Sequence, residues 1–281
     1  LALVNPGDNV LIPEPYFPLY PPDVEICGGS PNFYPCRFEN GFVPTIEDLE
    51  DRVNPSTVAI LYNFPSNPTG GNVNPEQRDE LVEFAKRNDL WIISDEVYDR
   101  IVYDAPHVSF IGAGYDKVIM VQSFSKTFAM TGWRIGYLLS PDQQAMEQLT
   151  KMQYYVTACS NDAMQHAVLE ALEKAPDYPE SMRSEFKNRR DLICERLNAM
   201  PGVSCHVPTG AFYVFPKVEV PGMTSEEIAM SLLEGGVLCS PGTAFGSAGE
   251  GHLRFAYTIS REDISRGMDR VEAILTELRG D

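Results

Sequence analysis

Residues 123–136 read Ser123-Phe124-Ser125-Lys126-Thr127-Phe128-Ala129-Met130-Thr131-Gly132-Trp133-Arg134-Ile135-Gly136. They lie between two apolar runs, 117–122 and 135–139, each the length of a strand. A lysine framed by Phe124, Phe128 and Met130 is unusual for a surface side chain. The plainer reading is a lysine that lays its stem on apolar neighbours and keeps its ammonium in water. The sharper reading is a partly buried amine, whose pKa burial lowers until it can act as a nucleophile. Ser123, Ser125 and Arg134 lie close enough in sequence to hold a phosphate beside it, Arg134 through a two-pronged grip.

Runs of the same kind recur upstream at 10–12, 57–62 and 90–94. Near-continuous apolar segments of this length are strands buried on both faces, which makes a mostly parallel sheet. Between them, residues 75–87 start with Pro75 and carry Leu81, Val82, Phe84 and Ala85, a helix with proline in its first turn. This is the α/β pattern. From about residue 178 the character changes. A long charged amphipathic helix is expected to about residue 200, where Pro201-Gly202 ends it. Strands follow near 203–207 and 211–215, a helix at 225–234 and a strand near 253–258. The last helix, 261–278, has Ser260 as N-cap with Glu262 and Asp263 in its first turn. The expected division is a large domain over residues 1–180 and a smaller α+β domain over 181–281.

The whole chain narrows the function classes. It has 281 residues, enough to bury a sizeable core, and its 40 acidic against 22 basic side chains give a net charge of −18. Such a surface repels phosphate backbones, which argues against nucleic acid as a partner. An anionic ligand would need a local cluster of arginine, lysine and backbone N–H groups. No apolar run is long enough for a bilayer. The six cysteines are scattered with no C-x-x-C pair, the pattern of free thiols in a reducing cytoplasm. The four histidines form no spaced pair, and no metal site is expected.

Other polar segments also follow strands, where folds of this type place ligands. Ser94-Asp95-Glu96-Val97-Tyr98 follows the run at 90–94, and Asp95 alone reads equally as an N-cap or a catalytic carboxylate. Asn63-Phe64-Pro65-Ser66-Asn67-Pro68-Thr69-Gly70-Gly71 reads as a tight turn, and a turn of this kind also fixes Asn67 in place. Glu14-Pro15-Tyr16-Phe17-Pro18-Leu19-Tyr20 offers an aromatic plane, Phe17, with Tyr16 as the alternative. His252-Leu253-Arg254-Phe255-Ala256-Tyr257 sets Arg254 between apolar residues, either in a surface salt bridge or as a clamp for a carboxylate.

Together these strings resemble the class I and II aminotransferases, the family with the aspartate aminotransferase-like fold. Residues 123–136 are similar to its cofactor-attachment signature: small, aromatic, small, lysine, then arginine eight residues on, an aliphatic residue and glycine. Residues 95–98 look like its D-E-x-Y segment and 63–71 like its N-P-x-N-P-T-G loop. Pro208-Thr209-Gly210-Ala211-Phe212-Tyr213 and Ser240-Pro241-Gly242-Thr243-Ala244-Phe245-Gly246 resemble loops that line the site. The resemblance covers essentially the whole chain. It implies a three-layer α/β fold, the PLP-transferase fold, with a mostly parallel sheet and a smaller C-terminal α+β domain.

The resemblance also implies pyridoxal 5'-phosphate (PLP) as cofactor, joined to Lys126 as an aldimine. Asp95 would pair with the ring nitrogen, and Tyr98 and Asn67 with the ring oxygen. Ser123, Ser125 and Arg134 would hold the phosphate, Phe17 would stack on the ring, and Arg254 with Asn67 would bind the substrate carboxylate. The implied activity moves an amino group from an L-amino acid to a 2-oxo acid, in a cytoplasmic homodimer. Carbon–sulfur lyases and cyclopropane-forming synthases of the same fold share these residues, and a non-catalytic ligand-sensing domain is a third reading. Members of the family carry a segment ahead of the position of Leu1. It includes an N-terminal arm, a glycine-containing phosphate-binding turn and a tyrosine that reaches the partner subunit. This chain by itself is therefore expected to bind PLP weakly or not at all, with less cofactor absorbance than a version that carries the segment.

Overall fold

In the computed structural model, which describes residues 1–280, the expected runs become β1 (Asn9–Glu14), β3 (Thr57–Asn63), β4 (Trp91–Asp95), β5 (Val118–Ser123) and β6 (Gly136–Leu139). One more strand, β2 (Ser30–Pro35), carries Pro31 and Pro35 and so lacks the apolar-run pattern. It lies at the edge of the sheet, in the order β2-β1-β3-β4-β5-β6, where proline is tolerated. Pairing is parallel from β2 to β5, and β6 runs antiparallel to β5.

Alternation along the strands buries both faces of this sheet. Val10, Ile12, Ala59 and Leu61 face one layer, to which α1 (Tyr20–Ile26) contributes Tyr20 and Val24. Leu11, Ile60, Tyr62, Ile92 and Val118 face the other, with the short α2 (Ile46–Glu50) and with α3 (Pro75–Arg87). A reciprocal cap starts α3: Gln77 N donates to Asn74 Oδ1 at 2.8 Å and Asn74 N to Gln77 Oε1 at 3.0 Å. The cap contributes about 1 kcal/mol. Burial of Leu81, Val82 and Phe84 contributes about 1.5–3 kcal/mol each.

The short α4 (Phe124–Thr127) follows β5 directly, and α5 (Gln143–Thr157) and α6 (Asp162–Lys174) follow β6. Then α7 (Tyr178–Ala199) leads to a second set of sheets. β7 (Val203–Ser204) pairs with β9 (Lys217–Val218), while β10 (Ser240–Pro241), β11 (Leu253–Ala256) and β8 (Tyr213–Val214) form an antiparallel ladder. α8 (Ser225–Glu234) and α9 (Arg261–Arg279) pack with them. The hydrophobic core of this part also takes in Tyr98, Ile101 and Tyr103 from the segment after β4. No described helix is long and apolar enough to cross a membrane.

The strands expected near 203–207 and 211–215 are shorter than the sequence suggests, because residues 208–212 leave the ladder to dock on the first sheet's loops. Thr209 N and Gly210 N both donate to Gly70 O, at 3.0 and 3.1 Å, and Ala211 N donates to Ile101 O at 2.8 Å. Gly70 has φ +71°, and a Cβ there would lie 2.3 Å from Pro208 Cβ and 3.0 Å from Tyr213 O. Gly70→Ala is therefore expected to lower stability by about 2 kcal/mol or more, read by denaturant unfolding. A change below about 0.5 kcal/mol would show that this contact is soft.

Candidate active site

The residues singled out in the sequence gather at one end of the parallel strands. Phe17 follows β1, Asn67 follows β3, Asp95 ends β4, and Ser123 ends β5 just before Ser125 and Lys126. Parallel pairing sets Asn63 beside Asp95, so the ends of β3 and β4 are level. Arg254, on β11, reaches the same place from the second part through its bond to Asn67.

Asp95 caps no helix; its two oxygens have separate partners. Oδ1 accepts from Val97 N at 3.3 Å and Oδ2 from the Tyr20 hydroxyl at 2.6 Å. Burial raises its pKa above the usual carboxylate value, although Tyr20, Val97 and Lys126 pull it down. Among the described residues no basic side chain forms an ion pair with it. A buried carboxylate in this state lacks a close cation, and a cationic ring nitrogen would supply one.

The Lys126 amine lies 5.6 Å from the ring centroid of Tyr98 and 5.5 Å from that of Phe212. Burial lowers its pKa below the ordinary lysine value; Asp95 opposes the shift, and Arg134 and Arg254 add to it. The amine is thus drawn away from water and toward the two rings. Tyr98 is buried, with its hydroxyl 3.1 Å from that of Tyr213.

Arg254 makes no salt bridge with any described carboxylate. Its Nη1 donates to Asn67 Oδ1 at 2.9 Å and its Nη2 to Ser240 Oγ at 3.3 Å. The guanidinium carbon is 4.7 Å from the ring centroids of both Tyr213 and Phe245. Nε is buried without a partner, and burial lowers the pKa of the group. A guanidinium held this way between two rings, with a donor to spare, suits a carboxylate ligand.

The phosphate candidates are arranged less tightly. Ser123 caps α4, its Oγ accepting from Ser125 N at 3.1 Å, and Ser125 is buried. Arg134 is exposed in a left-handed turn (φ 53°) and donates to Thr131 O at 3.0 Å. Phe17 is half-buried, 5.5 Å from Tyr20, whose hydroxyl meets Asp95. Tyr16 stacks on Phe33 at 5.1 Å instead.

Tyr20, Phe212 and Tyr213 were not among the residues singled out individually. Tyr20 closes the string that contains Phe17, and the pair Pro21-Pro22 after it was a signal that it opens a helix. Its partnership with Asp95, 75 positions away, has no local signature.

Next to Asp95, the side chain of Glu96 serves structure. Glu96 is 1% exposed and accepts from Ser94 Oγ at 2.8 Å, Phe110 N at 3.0 Å and Ser109 Oγ at 3.1 Å, with His107 Nε2 at 2.7 Å. Burial alone would raise its pKa; these bonds outweigh burial and hold it below the usual glutamate value. A depressed folded pKa contributes stability above the unfolded value, near 4.5, that is lost as pH falls through the folded one. Unfolding free energy measured below about pH 4.5 is expected to fall less steeply in Glu96→Gln than in the native chain. Equal slopes would remove Glu96 as the acid-sensitive group.

A carboxylate without a cation, an arginine without an anion and an amine of lowered pKa thus meet at one end of the sheet. The chain belongs to the family described as aminotransferase class I and II, whose model matches residues 1–271. It is 38% identical to an aspartate aminotransferase of Pyrococcus horikoshii over 98% of this chain and 71% of that protein. It is 39% identical to an aromatic-amino-acid aminotransferase of Thermococcus litoralis over 98% of this chain and 72% of that one. Among solved structures, an aromatic aminotransferase from Pyrococcus horikoshii superposes with a TM-score of 0.93 at 38% identity, covering 98% of this chain and 75% of that chain. The fold and the enzyme class expected from the sequence are therefore both met, and these relatives do not favour the lyase or sensor readings.

Proposed function

We propose that this transaminase uses pyridoxal phosphate, with Lys126 as the covalent attachment point and proton carrier. The observation that carries this reading is the Lys126 amine of lowered pKa, set over Tyr98 and Phe212 and within the field of the buried Asp95. The residues present fit that cofactor: the lysine for its aldehyde, Asp95 for its ring nitrogen, Tyr98 and Asn67 for its ring oxygen. Ser123, Ser125 and Arg134 suit its phosphate, and Phe17, half-buried beside Tyr20, would cover its ring. When bound, the cofactor supplies an electron sink for the pair left by the broken Cα–H bond of the amino acid. Lys126, as a neutral amine, would take the proton from Cα as a base and, as the ammonium, deliver it as an acid to the cofactor rather than back to Cα. Arg254 and Asn67 hold the α-carboxylate, which fixes the Cα–H bond toward Lys126. The relatives' names support an aspartate or aromatic amino acid as donor and a 2-oxo acid as acceptor.

The test is nitrogen transfer from a labelled amino acid to a 2-oxo acid, run with a panel of donors. Release of ammonia and pyruvate without transfer would overturn the reading. Arg254→Leu is expected to lower kcat/KM by about a hundredfold, mainly through KM, because it removes a charge-assisted bidentate contact. An unchanged KM would take the carboxylate away from Arg254.

We also take the working assembly to be a cytoplasmic homodimer. Supporting it are the large apolar side chains left in solvent along β6, α5 and α6, among them Tyr137, Tyr154, Tyr155 and Leu169, 41–66% exposed. All six cysteines are free, as suits a reducing compartment.

A further inference from the structure

We infer that Gln122 is a positioning residue that fixes the spacing between the turn carrying Asp95 and the turn carrying Lys126. Gln122 is 5% exposed, on β5, and its side-chain amide joins main-chain groups of the two turns. Nε2 donates to Glu96 O at 2.9 Å, and Oε1 accepts from Ser123 N at 2.8 Å. The pairing of β4 with β5 ends at Asp95 beside Val121, followed by one bond from Glu96 N to Val121 O at 3.0 Å. The amide of Gln122 is the next link outward, where the two chains turn toward the site.

Both ends of this strut are anchored. On one side the Glu96 carboxylate is held by Ser94, Ser109, Phe110 N and His107. On the other, Ser123 Oγ receives Ser125 N at 3.1 Å, one residue before Lys126. An apolar side chain of similar volume would fill the space but remove both links, whereas glutamate keeps the link to Ser123 N.

The inference rests on the reading of Asp95 and Lys126 as the groups that address the cofactor. A cofactor gripped by its ring nitrogen at one turn and by its aldehyde and phosphate at the other requires those turns at a fixed separation. Gln122 touches neither cofactor nor substrate in this scheme; it acts through Glu96 and Ser123.

The experiment uses a version that carries the family's N-terminal segment and compares its native sequence with Gln122→Ala and Gln122→Glu. Each is stripped, titrated with PLP, fixed with borohydride and digested, and the modified Lys126 peptide is measured by mass spectrometry. Gln122→Ala is expected to bind PLP about tenfold more weakly. Gln122→Glu gives the sharper readout. Its carboxylate keeps the acceptor for Ser123 N but sets a second oxygen against Glu96 O, whereas the protonated acid restores a donor there. The ratio of its Kd to the native Kd is therefore expected to fall toward one as pH drops from about 8 to about 5.5, burial having raised the new carboxyl's pKa. A packing role alone would leave that ratio flat, and a flat ratio overturns the inference. Native affinity in a folded Gln122→Ala overturns it too; if that variant does not fold, the ratio decides. Absence of a Lys126 adduct in the native chain overturns the site reading itself. A native adduct with both variants unaffected overturns only the role of Gln122.

Discussion

Replacing Lys126 with alanine is expected to slow amino transfer by about a thousandfold or more, the scale of general acid–base catalysis by a placed amine. Lys126→Arg should lose as much. Arginine keeps the positive charge but does not deprotonate in proteins, so it cannot accept the α-proton. The pair separates proton transfer from electrostatics: single-turnover rates with saturating amino acid would be equally low in both. If Lys126→Arg kept more than about a tenth of native activity, the amine would not be the proton carrier.

Asp95→Asn is the second large effect, a fall in kcat of about a hundredfold or more. Asparagine keeps an acceptor for Val97 N and turns an NH2 donor toward the Tyr20 hydroxyl, which can accept instead, so the turn should hold. What is lost is the negative charge that the proposed cofactor's ring nitrogen would face. The stability readout has the opposite sign to activity. Burial raises the Asp95 pKa, which means the empty fold disfavours the ionised form. At pH 7 the cofactor-free Asp95→Asn variant should therefore be at least as stable as the native chain. A marked drop in unfolding free energy would instead make Asp95 a structural residue.

Much of the fold was legible because buried parallel strands announce themselves. The segments at 10–12, 57–62, 90–94 and 117–122 are largely apolar, since each is covered on both sides. β2 was hidden by Pro31 and Pro35, which an edge strand accepts. α5 and α6 were not read either, although Asp142 and Asn161 cap them, accepting from Ala145 N at 2.9 Å and Met164 N at 3.3 Å. They bury almost nothing in this chain, no residue in α5 and Val168 in α6, and their apolar side chains, Tyr154, Tyr155 and Leu169 among them, stay in solvent.

The site divides in the same way. Lys126, Asp95, Tyr98 and Asn67 were readable as strings because each sits at a fixed offset from a strand end. Partnerships across the fold were not. The bonds of Tyr20 to Asp95, Tyr213 to Tyr98 and Arg254 to Asn67 join positions 75, 115 and 187 residues apart. No local pattern encodes such pairs; they come from the order of strands in the sheet and from the docking of residues 208–212 onto Gly70.

The membership of Tyr98 in the C-terminal core has a thermodynamic consequence. Asp95 is tied to α1 through Tyr20, while Tyr98, only three positions later, packs on Phe212 and Tyr213 in the core cluster shared with α7, α8 and α9. Denaturing either half would thus dismantle the other half's share of the pocket. A cofactor that grips both residues should make the two halves melt as one unit and raise that single midpoint with its concentration.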